Sequence, residues 1–351
     1  MTTGSIDTHR ATPTLRQTGD FIAGHQLGSG QIPWFRGHFS DPWDHIEAAM
    51  ALGVVGRTEE SRAAIDWLAR TQHPDGSWPM AMTGDLVTEP TVDTNQCAYI
   101  AVGLWHDHLL TGDRLHLRRH WGMLERAIDL VVSAQLPTGA ISWARSPFGD
   151  WVEEALLTGS ACIVLSLRCA LEVAAVLGHD RPEWVHAHTR LVGAVRSGSR
   201  IGSAVFADKS RYSMDWYYPV LGGAVVAEDA HSAIDLRWDD FVVPGYGIRC
   251  VADRPWATPA ESCELAIALD LLGRSEEARR ILGDIEVHRD TDGGYWTGYV
   301  WPDQAIWPEE KTTWTAAAVI LATDVLHGLT PAHRLFSDLA GARHAAPRSA
   351  P

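Results

Sequence analysis

Carboxylate side chains recur beside aromatic rings along this chain. Six short segments each carry at least one Asp or Glu, and all but the second also carry a Trp: 41–45, 92–96, 150–154, 213–218, 256–264 and 307–310. A pair of carboxyl groups can cleave a glycosidic bond, because one protonates the leaving oxygen while the other activates water or attacks the sugar. Aromatic rings stack on sugar faces, and carboxylates accept hydrogen bonds from hydroxyl groups. The segments therefore predict a carbohydrate site.

Each carboxylate taken singly has a simpler explanation as a helix cap, since Asp and Glu are favoured in the first turn of a helix. Six in succession ahead of apolar helices are harder to explain in this way. Burying a cap is costly unless the cavity that it faces holds water. We therefore expect the segments to line a wet cavity.

Helical periodicity runs through almost the whole chain, and no two-residue alternation of useful length predicts a strand. The helices are of two kinds. One kind is amphipathic and charged, which is typical of outer helices: 59–70, 114–133, 182–196, 231–240 and 275–287. The other is apolar on nearly all sides, which is typical of helices buried all round: 47–55, 97–105, 155–176, 217–226, 262–272 and 313–326.

The alternation of the two kinds predicts an all-α fold, a single-domain (α/α)6 toroid in which inner helices lie within a ring of outer ones. The predicted toroid covers 17–340, between a flexible N-terminus, 1–16, and a disordered tail, 341–351, that is rich in Ala, Arg and Pro. Two separate helical bundles would need a linker, and no Pro/Ser-rich stretch interrupts the alternation. In the toroid, the segments that lead into the inner helices converge on one central cavity.

A weak internal repeat marks the turns after several outer helices. The stretches 72–78, 135–143 and 290–296 each combine a polar turn containing Gly with a following Trp, at Trp78, Trp143 and Trp296. We interpret these three rings as structural wedges between adjacent helix pairs.

Composition excludes several classes of partner. The 351-residue chain has 29 Lys and Arg against 44 Asp and Glu, a formal charge of −15, which argues against a nucleic-acid or anionic-membrane partner. The 5 cysteines are scattered without a Cys-x-x-Cys pair, so we expect free thiols and no structural zinc. No metal and no organic cofactor is expected, because acid–base hydrolysis needs none.

The first residues are polar and no uninterrupted apolar stretch reaches the length of a membrane span, which predicts a cytoplasmic protein. The sequence does not indicate an oligomeric state.

Three motifs resemble the glucoamylase family, glycoside hydrolase family 15. Asp-Trp-Val-Glu-Glu at 150–154 is similar to the Trp-Glu-Glu motif that carries that family's general acid. Trp-Pro-Glu-Glu at 307–310, followed by Thr-Trp at 313–314, is similar to the segment that carries its general base. Asp-Pro-Trp-Asp-His at 41–45 is similar to a sugar-binding segment, although the family's Arg is missing. The resemblance implies an inverting pair with Glu153, or its neighbour Glu154, as the acid and Glu309 as the base.

The chain as a whole also resembles a group of actinobacterial toroid proteins that are often labelled prenyltransferase-like and that include the methylmannose polysaccharide hydrolase family. This resemblance implies an intracellular, endo-acting α-1,4-mannosidase with an inverting mechanism. It also implies that the acid–base pair involves Asp44 and Glu261. Of the two pairings, we predict Glu153 as the acid and Glu309 as the base. Asp44 with Glu261 is the alternative if Glu153 and Glu309 lie more than about 12 Å apart or at opposite ends of the ring.

Inversion requires room for water, so the two catalytic carboxyl groups should lie about 6.5 to 9.5 Å apart. Asp44, if it is not catalytic, would bind hydroxyl groups of the sugar. Further residues in or beside the segments are predicted to bind an oligosaccharide or polysaccharide: Trp43, His45, Glu47, Asp93, Asn95, Trp151, Glu154, Asp215, Tyr217, Trp256, Glu264 and Glu310.

Three other functions fit a helical toroid. A terpenoid cyclase or prenyltransferase would explain the Gln-x-x-x-Gly-x-Trp pattern at 72–78, but the chain has no Asp-x-Asp-Asp and no Asp-Asp-x-x-Asp motif. A sugar epimerase needs paired histidines at the cavity, whereas the six segments contain only His45. A carbohydrate-binding protein without catalysis would keep the tryptophans and not depend on the carboxylate pair.

Overall fold

The structure, a computed structural model, describes residues 11–200 and 203–339, and helices dominate it. The α-helices are, in chain order, α1 (Pro13–His25), α2 (Pro42–Val54), α3 (Thr58–Thr71), α4 (Thr94–Ala98), α5 (Ile100–Thr111), α6 (Arg114–Ser133), α7 (Leu157–Leu177), α8 (Pro182–Gly198), α9 (Ser213–Leu221), α10 (Ala227–Leu236), α11 (Trp238–Phe241), α12 (Pro259–Leu271), α13 (Ser275–Asp284), α14 (Thr313–His327) and α15 (Leu335–Leu339). Short 3-10 turns, Ile285–His288 and Pro331–Arg334, follow α13 and α14.

Six helices form a closed inner ring. Around the ring, α2 packs against α5, α5 against α7, α7 against α9, α9 against α12 and α12 against α14, and α14 packs back against α2. The outer helices α1, α3, α6, α8, α10 and α13 each pack against an inner helix. The predicted (α/α)6 toroid is confirmed.

Burial separates the two kinds of helix as the sequence pattern predicts. In α5, every residue from Ile100 to Asp107 is buried, whereas in the outer helix α13 only Ala278 and Ile281 are buried. Helix α7 is long and apolar enough to span a membrane by length and composition alone, but most of it is buried inside the protein as the third inner helix. The apolar surface of the inner helices thus forms the core.

The limits of some elements differ from the predicted ones. Helix α1 completes the outer ring, and it begins at Pro13, inside the predicted flexible N-terminus 1–16. Residues 1–10 and the predicted tail 341–351 lie outside the described residues. Helix α9 ends at Leu221, before the predicted end at residue 226, because Gly223 has a left-handed φ of +73°, which does not continue a right-handed helix.

Short strands position several segments at the open end of the ring. The strands are β1 (Ala81–Thr83), β2 (Leu86–Glu89), β3 (Val92–Asp93), β4 (Ala144–Arg145), β5 (Val242–Val243), β6 (Gly247–Arg249), β7 (Trp256–Thr258), β8 (Tyr299–Val300) and β9 (Ala305–Ile306). β1 pairs with β2, β3 pairs with β4, and β5 to β9 form one antiparallel sheet in sequential order. Strands of two to four residues are too short to leave a period-two pattern, so the sequence does not predict them.

The repeat turns tie consecutive outer helices together through glutamine side chains. After α3, the side-chain amide of Gln72 donates to the carbonyl oxygen of Gly76 in its own turn, at 3.0 Å, and to that of Met123 in α6, at 2.9 Å. After α6, Gln135 donates in the same way to Gly139 and to Ala187 in α8, both at 2.9 Å. Each turn is therefore joined to the next outer helix.

The residue six positions after Gln72 or Gln135, and after Arg289 in the last turn, fills the wedge between helices. Trp78 takes this position in the first turn and is 1% exposed, as predicted. In the second turn the buried residue is Ile141, also 1% exposed, while Trp143 lies half-buried toward the central cavity. In the last turn Tyr295 is the buried residue and Trp296 is half-buried. The prediction that Trp143 and Trp296 are wedges is therefore wrong.

We expect Gly76→Ala to destabilise the fold more than Gly37→Ala. Both glycines have positive φ, +94° and +84°, so alanine costs about 1–2 kcal/mol of conformational energy at either position. At Gly76 a Cβ would also lie 2.3 Å from the carbonyl oxygen of Arg126, whereas at Gly37 nothing lies within 4 Å. Thermal unfolding measures the difference; equal changes in melting temperature would contradict the close contact between turn and helix.

Candidate active site

The inner helices begin at one end of the ring, which we call the mouth, and the first turn of α2 is built around a capping carboxylate. Asp41 accepts hydrogen bonds from the backbone N–H groups of Trp43, at 3.0 Å, and Asp44, at 2.9 Å. The indole N–H of Trp34 donates to its second oxygen at 2.7 Å. Pro42 occupies the first helical position, where its missing N–H costs nothing. This turn fixes the directions of Trp43 and Asp44.

Asp44 is a buried carboxyl group with carboxylates around it. Its residue is 5% exposed. Burial raises its pKa well above the ordinary value, and the negative charges of Asp41 and Glu47 raise it further. It also forms a side-chain hydrogen bond with Asp41 that favours the protonated form of Asp44. Asp44 therefore holds a proton under conditions in which an exposed Asp would be ionised.

Glu47 lies one turn deeper on α2, and its two oxygens are held by aromatic donors from other helices. The Tyr99 hydroxyl donates to one oxygen at 2.8 Å and the Trp314 indole N–H to the other at 2.9 Å. Burial raises the pKa of Glu47 to about 7, although these two hydrogen bonds lower it. Its charge therefore changes near neutral pH.

Glu264 on α12 is held in a matching way, by the hydroxyl groups of Tyr217 and Tyr218 on α9. Burial raises its pKa well above the ordinary value, with Glu47 adding to the effect. Glu47 and Glu264 both line a cavity of about 20 Å³ on the ring axis, which is room for about one water molecule. The polar atoms of Glu47, Glu264 and Tyr217 bind protein groups deep in the ring, and their contact with the sugar stays a prediction.

Glu261, one turn before Glu264, faces a larger cavity at the mouth. The cavity has a volume of about 220 Å³. Aromatic rings from four segments of the chain line it: Trp34, Trp256, Trp307 and Trp314. Glu261 is 6% exposed. The Cys250 thiol forms a hydrogen bond with Glu261, and burial together with the Glu261 charge raises the pKa of that thiol.

A second cavity, of about 200 Å³, lies at the first turns of α4 and α7 and reaches Trp43. Asp93 and Asn95 both line it. Asp93 caps α4 by accepting from the backbone N–H of Gln96 at 3.1 Å, and burial raises its pKa to about 6. Asp215 binds Thr158 nearby through the backbone N–H, at 3.2 Å, and the hydroxyl group, at 2.6 Å, and so joins α9 to α7.

The glutamates singled out by the glucoamylase-like motifs lie at the surface. Glu153, Glu154 and Glu309 are exposed, and Glu310 is half-buried beside the Trp-lined cavity. Trp151 is half-buried under the guanidinium group of Arg145, 5.4 Å from the ring centroid. Trp256 is half-buried, and its indole N–H donates to the carbonyl oxygen of Trp307 at 2.6 Å. The motifs therefore contribute the rim of the mouth.

His45 belongs to the core and not to the mouth surface. It is 1% exposed. One ring nitrogen accepts from the backbone N–H of Ile32 at 3.0 Å, and the other lies 3.0 Å from the carbonyl oxygen of Ala64. Burial lowers its pKa to about 4, so the ring is neutral. The prediction that His45 binds substrate is corrected, because both nitrogens are used by the backbone.

Sequence reasoning missed several aromatic residues at the site. Trp34, Tyr99, Tyr218 and Trp314 bind Asp41, Glu47 or Glu264, yet none was among the predicted site residues. Trp34 lies outside all six segments, and Tyr99 reads as part of an apolar helix. Their polar atoms were the available signal, since a buried Tyr or Trp needs a hydrogen-bond partner.

Within residues 11–200 and 203–339, no group of three or more His, Cys, Asp or Glu side chains has a geometry that could hold a metal ion. Four of the carboxyl groups instead accept hydrogen bonds from N–H and O–H donors of the protein: Asp41, Glu47, Asp93 and Glu264. The arrangement suits proton transfer to and from a ligand that brings its own hydroxyl groups.

Solved structures with the same fold include several carbohydrate-active proteins. A glycosidase in complex with glucose has a TM-score of 0.68 and 17% identity, covering 92% of this chain and 98% of that chain. An alpha-amylase from Clostridium perfringens has a TM-score of 0.66 and 11% identity, covering 88% and 96%. A D-mannose isomerase has a TM-score of 0.66 and 12% identity, covering 92% and 100%. At these identities the likeness shows the shared fold alone.

No model of a protein family matches the chain. Among curated proteins, the MMP endo-(1,4)-3-O-methyl-alpha-D-mannosidase of Mycolicibacterium hassiacum is 51% identical over 321 residues, which cover 92% of this chain and 88% of the relative. Identity at this level across nearly the whole chain includes the helices that build the mouth. The chain therefore belongs to the glycosidase family of this endo-mannosidase.

Proposed function

We propose that this protein is an endo-acting glycoside hydrolase that cleaves α-1,4 bonds in a 3-O-methylated mannose polysaccharide by inversion. The relative that is 51% identical carries this activity and substrate in its name. The observation that carries the proposal is Asp44, a buried carboxyl group beside Trp43 in the first turn of α2, whose pKa is raised well above its ordinary value. A general acid for glycoside cleavage needs this property.

Asp44 suits the role of general acid better than Glu153. An acid must still hold its proton near neutral pH, and burial together with neighbouring negative charge raises the pKa of Asp44. Glu153 is exposed at the rim, outside the cluster of buried carboxyl groups. The proposal therefore takes the alternative pairing, Asp44 with Glu261, in place of the predicted Glu153 with Glu309.

Glu261 suits the role of general base. It lines the Trp-rich cavity on α12, and the Cys250 thiol orients its carboxylate through a hydrogen bond. Helix α14 separates α12 from α2 in the ring, so Asp44 and Glu261 approach the mouth from different directions. In the proposed reaction Asp44 gives its proton to the glycosidic oxygen, and Glu261 takes one from the water that attacks the opposite face of the sugar.

The rings around the mouth suit a sugar polymer. Trp43 packs against Trp314, with ring centroids 6.1 Å apart, and Trp256 meets Trp307 edge to face at 5.2 Å. Trp307 is 57% exposed, which leaves much of its surface free for a ligand. Rings of this kind stack on the C–H faces of sugars, and the added methyl groups of an O-methylated sugar enlarge the apolar contact.

The site supports the other functions less well. An epimerase or isomerase would need histidines as acid and base, and His45, the only histidine of the six segments, has both ring nitrogens bound to the backbone. A cyclase cavity needs to be lined by apolar and aromatic groups, whereas Asp44, Asp93 and Glu261 converge on this mouth. A binding protein without catalysis gives no role to the proton held by Asp44.

We expect Asp44→Asn and Glu261→Gln each to lower kcat by about 10²–10⁴-fold, the usual contribution of a general acid or base. Glu153→Gln and Glu309→Gln are the matched controls, because both glutamates are exposed at the rim; we expect these variants to retain most of the wild-type kcat. Hydrolysis of a 3-O-methylmannose oligosaccharide, followed by chromatography, measures all four. If Glu153→Gln and Glu309→Gln lower kcat by this amount while the other two variants keep it, Glu153 and Glu309 are the acid and base.

The pH profile tests how Asp44 is tuned. The acid must be protonated, so activity falls as pH rises through its pKa. The Glu47 charge raises the pKa of Asp44, so Glu47→Gln should lower that pKa and move the alkaline limb of kcat to lower pH. Asp150→Asn, which removes an exposed carboxylate at the rim, should leave the limb in place. Equal shifts in the two variants would show that Glu47 does not act on Asp44 specifically.

The stereochemistry and substrate class are tested directly by NMR. We expect the first product from an α-linked 3-O-methylmannan to be the β-anomer, because a single displacement inverts the anomeric carbon. An α-anomer would exclude the proposed inversion. Cleavage of an unmethylated α-glucan but of no mannan, or consumption of a polyprenyl diphosphate, would contradict the proposed substrate.

A further inference from the structure

The cavity at the first turns of α4 and α7, which we call the side pocket, starts beside the proposed acid. Its lining includes Trp43, the residue before Asp44. Its volume is about 200 Å³, which is comparable with the size of one hexose unit. A polymer that presents a glycosidic oxygen to Asp44 would therefore place a neighbouring sugar in or against this pocket.

One wall of the side pocket is apolar. Ile141, Leu156 and Ile163 line it together with Trp143. Ile141 and Ile163 are each 1% exposed. A free hydroxyl group that faced this wall would lose its hydrogen bonds to water and gain none, whereas a methyl ether would bury its methyl group against the isoleucines.

Buried polar atoms without a protein hydrogen-bond partner belong to residues of the same lining. They are the side-chain oxygens of Asn95, Gln96 and Ser160. Asn95 is 9% exposed and Ser160 is 2% exposed, and both line the pocket. A buried acceptor without a partner is costly, so a water molecule or a ligand is expected to supply the missing donor. Free hydroxyl groups of a sugar are donors of this kind.

We propose that the side pocket reads the methylation state of a sugar unit beside the cleaved bond, with the isoleucine wall binding the O-methyl group and Asn95, Gln96 and Ser160 binding free hydroxyl groups. The inference rests on the proposed function, since it names the specificity of the same site. It predicts a preference for a singly methylated sugar. An unmethylated sugar leaves the apolar wall facing a hydroxyl group, and a fully methylated sugar has no donor for the three acceptors.

Gly159, in the first turn of α7, offers a sharp test of the pocket's size. A Cβ there would meet only Asn95, at 3.6 Å, and Leu156, at 4.0 Å, which are ordinary contacts, so alanine fits the fold and fills part of the pocket. Gly193→Ala on the outer helix α8 is the matched control, because nothing lies within 4 Å of its Cβ position. Alanine favours a helix at both positions, so neither variant should unfold.

The substrates are two α-1,4-linked mannose oligosaccharides of equal length, one 3-O-methylated on every unit and one unmethylated. We expect wild-type protein to favour the methylated one in kcat/KM. Gly159→Ala should lower this preference about tenfold or more, because one misplaced methyl group in a shaped pocket changes discrimination by this amount. Gly193→Ala should leave the preference unchanged. Equal losses for both substrates in Gly159→Ala, or no loss, would overturn the inference while leaving the proposed function in place.

Ser160→Ala tests the polar side. The serine oxygen has no partner in the free protein, so its removal should not lower the melting temperature, but kcat/KM for the methylated oligosaccharide should fall by about two- to tenfold. A lower melting temperature without a change in kcat/KM would assign the serine to the fold. If the wild type cleaves neither substrate, the proposed function fails, and calorimetric binding of both oligosaccharides to wild type and Gly159→Ala still decides whether the pocket reads the methyl group.

Discussion

Burial of carboxyl groups inside the ring of inner helices is the constraint on which the rest of the site depends. In the described part of the chain, no ion pair neutralises Asp41, Asp44, Glu47 or Glu264. Backbone N–H groups, indoles and phenols, which are neutral donors, bind Asp41, Glu47 and Glu264 instead, and Asp44 lies beside the Asp41 and Glu47 carboxyl groups. Neutral donors compensate desolvation only in part, so the carboxyl groups share protons and their pKa values rise. The ring thus holds carboxyl groups that favour the protonated form, at a cost that the apolar inner helices must offset.

The outer ring makes that arrangement rigid. Each glutamine turn ties one outer helix to the next, and the buried side chains at Trp78, Ile141 and Tyr295 fill the gaps between helix pairs. The many tryptophans of this chain therefore have two separate roles. Some are core residues, as Trp78 is, and others, such as Trp43, Trp256 and Trp314, line the mouth with half-buried rings that leave part of their surface to a ligand.

Fold and chemistry are separable in this architecture. The same toroid occurs in a glycosidase, an alpha-amylase and a D-mannose isomerase at 17% identity or less. Such a ring provides six helix starts at one end, and the residues placed there determine which reaction is possible. In this chain the buried imidazole of His45 is hydrogen-bonded to the backbone. The carboxyl groups in the first turns of α2 and α12 are those of Asp44 and Glu261. Specificity then depends on the small pockets between neighbouring helix starts.

The amino-acid pattern alone was enough to predict the toroid, because an apolar surface on all sides leaves a helix no stable place except inside a ring of others. It also located the carboxylates at the helix starts. It did not show that Glu47 and Glu264 point down the ring axis while Glu153 and Glu309 lie at the rim, since segments of similar composition differ in depth by only a turn of helix. Nor did it show that Tyr99 and Trp314 would both bind Glu47, because those contacts join residues far apart in the chain. Periodicity specifies which face of a helix is buried, but the partner of each buried polar atom, and therefore its pKa, is decided only when the ring closes.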